Sequence, residues 1–159
     1  MADVKKQEKV SLPVAEGLYV FPPSVESPAL LGSKCEDCGF VVWPKQSICP
    51  KCRSSHAGEV VLSRRGRVWS STIVRQGPGD YRGPVPYAVG LVELPEGAGV
   101  RTVFTKCSVD SPLPIGTEVQ LVFEEVTRDS DGTALVGHRF APIGEKPLGG
   151  EDAEGESNG

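Results

Sequence analysis

Four cysteines constrain this chain more than any other feature: Cys35, Cys38, Cys49 and Cys52 form two C-x-x-C pairs with ten residues between them. The pairs stand in CEDCG and ICPKC, and each has the form of a zinc knuckle. In a knuckle a tight turn aims two thiolates at one point while backbone N–H groups hydrogen-bond to the sulfurs. Two facing knuckles supply the tetrahedral S4 shell that zinc prefers, with Zn–S near about 2.3 Å, and leave no open coordination position for a reacting water. A shell closed in this way is structural. His56 follows Cys52 by four residues, but four cysteines already complete the shell without it. The same S4 set accepts iron, so a rubredoxin-like electron carrier stands as a further reading of these residues.

The remaining cysteine makes five, an odd number, and the N-terminus MADVKKQEKVSLPVAEG carries charge without an apolar signal region. The expectation is therefore a cytoplasmic protein in a reducing compartment, with a metal site and one spare thiol in place of a disulfide framework. No stretch reaches the length of a membrane span. A net charge of −4 argues against a protein that lives on nucleic acid, because phosphate-neutralising proteins carry a basic surplus.

Residues 1–30 read as an extended N-terminal arm. Pro13, Pro22, Pro23 and Pro28 forbid a long helix there. Leu18, Tyr19, Val20, Phe21, Leu30 and Leu31 are more apolar residues than a free linker needs, so the arm should dock, either on its own barrel or on a partner. Residues 31–58 form the ribbon, with Phe40 to Pro44 as a short strand between the knuckles. A ribbon of this size cannot bury enough apolar surface to fold alone, so the metal must supply much of its folding free energy. Lys34, Lys45, Lys51 and Arg53 crowd the same segment and would offset the negative charge of zinc with four thiolates.

From residue 59 to 146 the pattern changes to short β runs separated by glycine and proline turns, with no helical periodicity. Five main strands are expected: Arg67 to Arg75, Tyr87 to Leu94, Val100 to Lys106, Thr117 to Val126 and Thr133 to Phe140, with Val60 to Leu62 as a lead-in. Strands of this number and length suggest a five-stranded OB-fold barrel, so the chain as a whole is mainly β. The helix usual between the third and fourth strands of that fold has no room, since Cys107 to Gly116 holds two prolines. Residues 147–159, acidic and small, read as a disordered tail.

A catalytic set is hard to assemble from these residues. The only histidines are His56 and His138, and His138 is expected at a polar surface position on the last strand. Cys107 follows Lys106, yet a lone cysteine usually behaves as a small buried hydrophobe. Two features suggest binding instead. Arg64, Arg65 and Arg67 lead into the first barrel strand, with Arg75 and Arg82 following, and clustered guanidinium groups can hold a phosphate or carboxylate, although charge also protects a strand edge. The loop GPGDYRGPVP, residues 77–86, carries Tyr81 and Arg82 and runs into Tyr87; long loops on a small barrel commonly bear the binding function.

Taken together, the C-x-x-C-G knuckle, the C-P-x-C knuckle, the strand GRVWSST and the run PYAVGLVELPEG resemble a family that joins a zinc ribbon to an OB fold and accompanies thiolases and other acyl-CoA enzymes. The likeness covers about Leu31 to Pro142. It implies Cys35, Cys38, Cys49 and Cys52 as zinc ligands and no catalytic residue in this chain. It further implies a non-catalytic subunit of a hetero-oligomer whose thiolase-fold large subunit binds most of the CoA or acyl-CoA, with 2-benzoylsuccinyl-CoA as one candidate substrate. Arg64, Arg65, Arg67, Tyr81, Arg82 and Tyr87 would then face the acyl-CoA or the partner. Many members of the family carry a helical segment before the ribbon, and the prolines here point to an extended one. The competing reading is a single-stranded nucleic-acid module, which needs aromatic platforms on a basic groove that this acidic, aromatic-poor chain does not favour.

Overall fold

The structure is a computed structural model; it describes residues 11–13, 15–20 and 28–143. The first ten residues, Phe21 to Pro23 and the acidic tail from 147 onward lie outside the described residues. Ten strands follow one another: β1 (Ser11–Pro13), β2 (Tyr19–Val20), β3 (Ala29–Cys35), β4 (Val41–Val42), β5 (Ala57–Val61), β6 (Arg65–Val74), β7 (Tyr87–Glu93), β8 (Gly99–Phe104), β9 (Glu118–Arg128) and β10 (Ala134–Pro142). No helix occurs among the described residues, so none is long and apolar enough to cross a membrane.

The ribbon is built on β3. That strand is buried at every position except Lys34, because it is paired on both edges. The strand β5 runs antiparallel along one edge, from Leu31 opposite Val61 to Cys35 opposite Ala57. The other edge takes β2, with Tyr19 opposite Leu30, and then β4, with Ser33 opposite Val42. The expected strand from Phe40 to Pro44 shrinks to β4, two residues long. Val60 and Val61 differ from expectation too. They lie on the ribbon strand β5, not on a lead-in to the barrel, because β3 offers them a complete antiparallel edge.

The five expected barrel strands are all present, each within two residues of its expected ends. The strands β6, β7 and β8 form an antiparallel meander. Next to β8 runs β10, parallel at Phe140 and Phe104, and β10 returns as a long hairpin with β9. Pairing of Arg67 with Glu118 joins β9 back to β6 and closes the barrel. Inward positions alternate along the strands, and Val68, Val92, Val100, Val119 and Phe140 are each at most 1% exposed. No helix separates β8 from β9. The buried Leu113 of the intervening loop joins the core instead, with its amide donating to Ser71 Oγ.

Ribbon and barrel share one core. Leu30, Val41 and Leu62 belong to the same buried cluster as the barrel valines. The linker between them is pinned as well, since Ser63 donates both its amide and its hydroxyl to Glu96 Oε1 in the β7–β8 turn. The arm docks on its own chain: β1 adds a parallel strand to β10, and Tyr19 is 8% exposed.

Candidate metal centre and its surroundings

The two knuckles bring the sulfurs of Cys35, Cys38, Cys49 and Cys52 within 4.8 Å of one another. Cys35 ends β3, and the turn after it returns through Gly39, whose positive φ of 74° suits a residue without Cβ. The Gly39 amide donates to the Cys35 carbonyl, and the Arg53 amide repeats that bond to Cys49 in the second knuckle. Cys35 and Cys52 sulfurs are 3.5 Å apart and those of Cys38 and Cys49 3.6 Å. A tetrahedral shell with Zn–S of about 2.3 Å has edges near about 3.8 Å, so the donor set fits zinc.

Backbone amides are aimed at the sulfurs, as thiolate ligands require. The Cys52 amide, with that of Lys51, brings the Cys49 thiol down to about 7. Cys52 moves the other way: the Ser54 amide favours its thiolate, but desolvation and the three neighbouring thiols outweigh that and push it up to about 12. Four thiols at one point resist sharing negative charge, and a divalent cation reverses this balance. Cys35 and Cys49 are buried while Cys38 and Cys52 face outward.

His56 is not part of the sulfur cluster. Its Nδ1 lies 3.1 Å from Asp37 Oδ2, which also accepts the Ser54 hydroxyl, so Asp37 ties the first knuckle to the second. These hydrogen bonds, the one from Ser54 foremost, hold the Asp37 carboxyl below its ordinary range. Of the basic residues expected to balance the metal, Lys45 is instead paired with Glu59 across the ribbon at 2.5 Å.

The arginines expected to act together are divided by the fold. Arg64 is engaged within the chain, donating to the carbonyls of Pro28 at 2.9 Å and Leu121 at 3.2 Å. Arg67 lies 3.4 Å from Glu118 in an exposed pair. Arg65 lines two clefts, of about 430 and 540 Å³, at the start of β6. Arg82 is carried by the loop after β6, at the far end of that ten-residue strand, some 30 Å along the chain direction. There Tyr81 stacks on Tyr87 with centroids 5.2 Å apart, and its hydroxyl donates to the Pro84 carbonyl. A Cβ on Gly77 or Gly83 would fall within 2.4 Å of the Tyr81 side chain, so these glycines admit the ring. Cys107 packs against the core, where burial pushes its thiol up.

His138 departs from expectation. It is not a polar surface residue but sits at the junction of ribbon and barrel, between Tyr19 and Trp43. Periodicity along β10 could not show this, because Tyr19 lies 119 residues away in sequence.

A closed tetracysteine ribbon joined through one core to a five-stranded barrel defines a zinc-ribbon and OB-fold protein. The chain belongs to the DUF35 family, of which ChsH2 is a member. Residues 25–57 match the family profile described as "ChsH2, rubredoxin-like zinc ribbon domain", and residues 59–124 match "ChsH2, C-terminal OB-fold domain". A DUF35 domain-containing scaffold protein of Methanocaldococcus jannaschii is 35% identical over 116 residues, covering 72% of this chain and 82% of the relative. Benzoylsuccinyl-CoA thiolase subunit BbsA of Thauera aromatica is 30% identical over 122 residues, covering 77% of this chain and 82% of that one. Among solved structures, the Ltp2-ChsH2(DUF35) aldolase is similar with a TM-score of 0.58 and 29% identity, covering 72% of this chain and 84% of the other.

Proposed function

We propose that this chain is a non-catalytic accessory subunit of a thiolase-type acyl-CoA complex, which stabilises a thiolase-fold partner and helps shape its acyl-CoA site. The observation that carries this reading is the 30% identity, over most of both chains, to a protein named as a subunit of benzoylsuccinyl-CoA thiolase. The likeness to an aldolase assembled with a DUF35 partner supports the same general role. The chemistry of the chain agrees: its sulfur cluster is a closed donor set, His56 is engaged with Asp37, and His138 is engaged with the Tyr19 hydroxyl and the backbone carbonyl of Arg101 on β8. Cys35, Cys38, Cys49 and Cys52 hold a structural zinc. Arg65 beside its clefts offers a guanidinium to a CoA phosphate, with Arg64 and Arg67 adding positive charge nearby, and the Tyr81, Arg82 and Tyr87 loop meets the partner. The protein works in the cytoplasm. Thiolytic cleavage of 2-benzoylsuccinyl-CoA is the specific reaction favoured for the complex.

The test is purification of the tagged chain from its own host, with the co-purifying subunit then assayed for CoA-dependent cleavage with and without this chain. A thiolase-fold subunit that needs this chain for activity or stability is the expected result. A large subunit fully active and stable alone would overturn the reading, and turnover of other acyl-CoAs but not 2-benzoylsuccinyl-CoA would overturn only its last step.

A further inference from the structure

The structure assigns to Trp43, Tyr19 and His138 the role of a latch through which metal held by the ribbon fixes the ribbon on the barrel. Three parts of the chain converge on His138. Its Nε2 lies 2.8 Å from the Arg101 carbonyl on β8, which can only accept, so Nε2 carries the proton. Its Nδ1 is then the acceptor, and the Tyr19 hydroxyl donates to it at 2.9 Å. The same hydroxyl accepts the His138 amide at 3.3 Å, a backbone donor that β9 does not serve. Tyr19 also sets its ring edge-on to Phe123 of β9, with centroids 5.0 Å apart. The Trp43 ring closes the group from the ribbon side, edge-on to the imidazole at 4.8 Å, while its Nε1 donates to the Leu18 carbonyl beside Tyr19.

Trp43 owes its place to the metal-closed hairpin. It follows β4 directly, and β4 lies between the two knuckles and pairs with the strand that ends at Cys35. The Gln46 amide, donating to Ser33 Oγ, holds the return path to the second knuckle. Without a cation the four sulfurs have no common anchor, the hairpin loosens, and Trp43 leaves the imidazole. The Leu18 carbonyl then keeps the Leu31 amide of β3 but loses the Trp43 Nε1 donor, so Tyr19 is held from the β3 edge alone. The desolvation that now depresses His138 is also lost, although Arg139 beside it still disfavours the imidazolium. Metal occupancy thereby decides whether ribbon and barrel present one rigid surface or two hinged ones. This holds whatever partner the chain serves.

The experiment is amide hydrogen exchange and imidazole titration by NMR on the full chain, zinc-loaded and after chelation, with Tyr19→Phe as a calibrant. Zinc-loaded Tyr19→Phe keeps the ring on Phe123 and should exchange its His138 amide at least about tenfold faster than the parent, which shows that this amide reports the latch. Chelation of the parent should reproduce that acceleration and raise the His138 titration toward the ordinary imidazole range, while Val92 and Val100 in the barrel stay protected. A His138 amide that remains protected after the ribbon has opened would overturn the latch. So would an unchanged amide in Tyr19→Phe, or equal opening of Val92 and Val100, since the metal would then support the whole fold without a separate joint.

Discussion

Gly90 shows what one residue decides in this barrel. The extra residue of a bulge, Trp69, sits between Val68 and Ser70 on β6 and turns the strand over its neighbour. The carbonyl of Ser70 is thereby driven toward β7. A Cβ at Gly90 would meet that carbonyl at 2.0 Å and the Phe104 ring at 2.9 Å, so neither backbone nor core has room to give. Gly90→Ala should cost about 2–3 kcal/mol, the upper part of the range for overpacking, read as a lower urea midpoint with an unchanged slope. Gly39, whose Cβ would meet nothing, should lose stability through its positive φ alone. In the sequence these glycines look alike. A knuckle motif marks Gly39, but nothing local marks Gly90, because the atoms that crowd it come from the bulge on β6 and from β8.

At the scale of elements the ribbon was the most legible part, for the spacing of four cysteines dictates two turns and a closed shell before any strand is placed. The β5 strand is less legible for the opposite reason: Val60 and Val61 read equally well as the start of a barrel strand, and only the free edge of β3 decides between the two. The place of His138 is not legible in the sequence because its partners, Tyr19, Trp43 and Arg101, come from three other parts of the chain. The dependence of the ribbon on its metal leads to a specific expectation. Cys38 faces outward, so Cys38→Ser removes a ligand without opening a cavity, whereas Cys49→Ser changes a buried sulfur. Both should nonetheless lose stoichiometric zinc and open the ribbon, because a small ribbon draws most of its folding free energy from the metal. Under the proposed function both should also release the partner subunit, measured by size-exclusion chromatography with zinc analysis, and lose activity only in proportion to that release. A variant that stays assembled with zinc bound and yet loses turnover would mean that the metal takes part in the chemistry.

For the whole molecule the decisive fact is that β6 separates two groups of arginines that read as one run of charge in the sequence. A ten-residue strand extends roughly 30 Å, far more than a single CoA pyrophosphate, and Arg65 and the loop of Arg82 follow from its opposite ends, which favours separate roles for the two. Under the proposed function their surroundings would divide the work. Arg65 borders two clefts, while Arg82 projects from a loop stiffened by the Tyr81 ring between Gly77 and Gly83, and a stiff loop loses little entropy on docking. In the assembled complex Arg65→Ala should raise KM for the acyl-CoA about ten- to a hundredfold with kcat little changed, as expected when a charge-assisted hydrogen bond made equally in ground and transition states is lost. Arg82→Ala should leave KM alone once the subunits are saturating but weaken assembly, seen as a higher subunit concentration for half-maximal activity. Steady-state kinetics at several subunit ratios distinguish the two effects. If both variants raised KM at saturation, the two ends of the strand would have to serve one extended ligand, and the division between a CoA face and a partner face would fall.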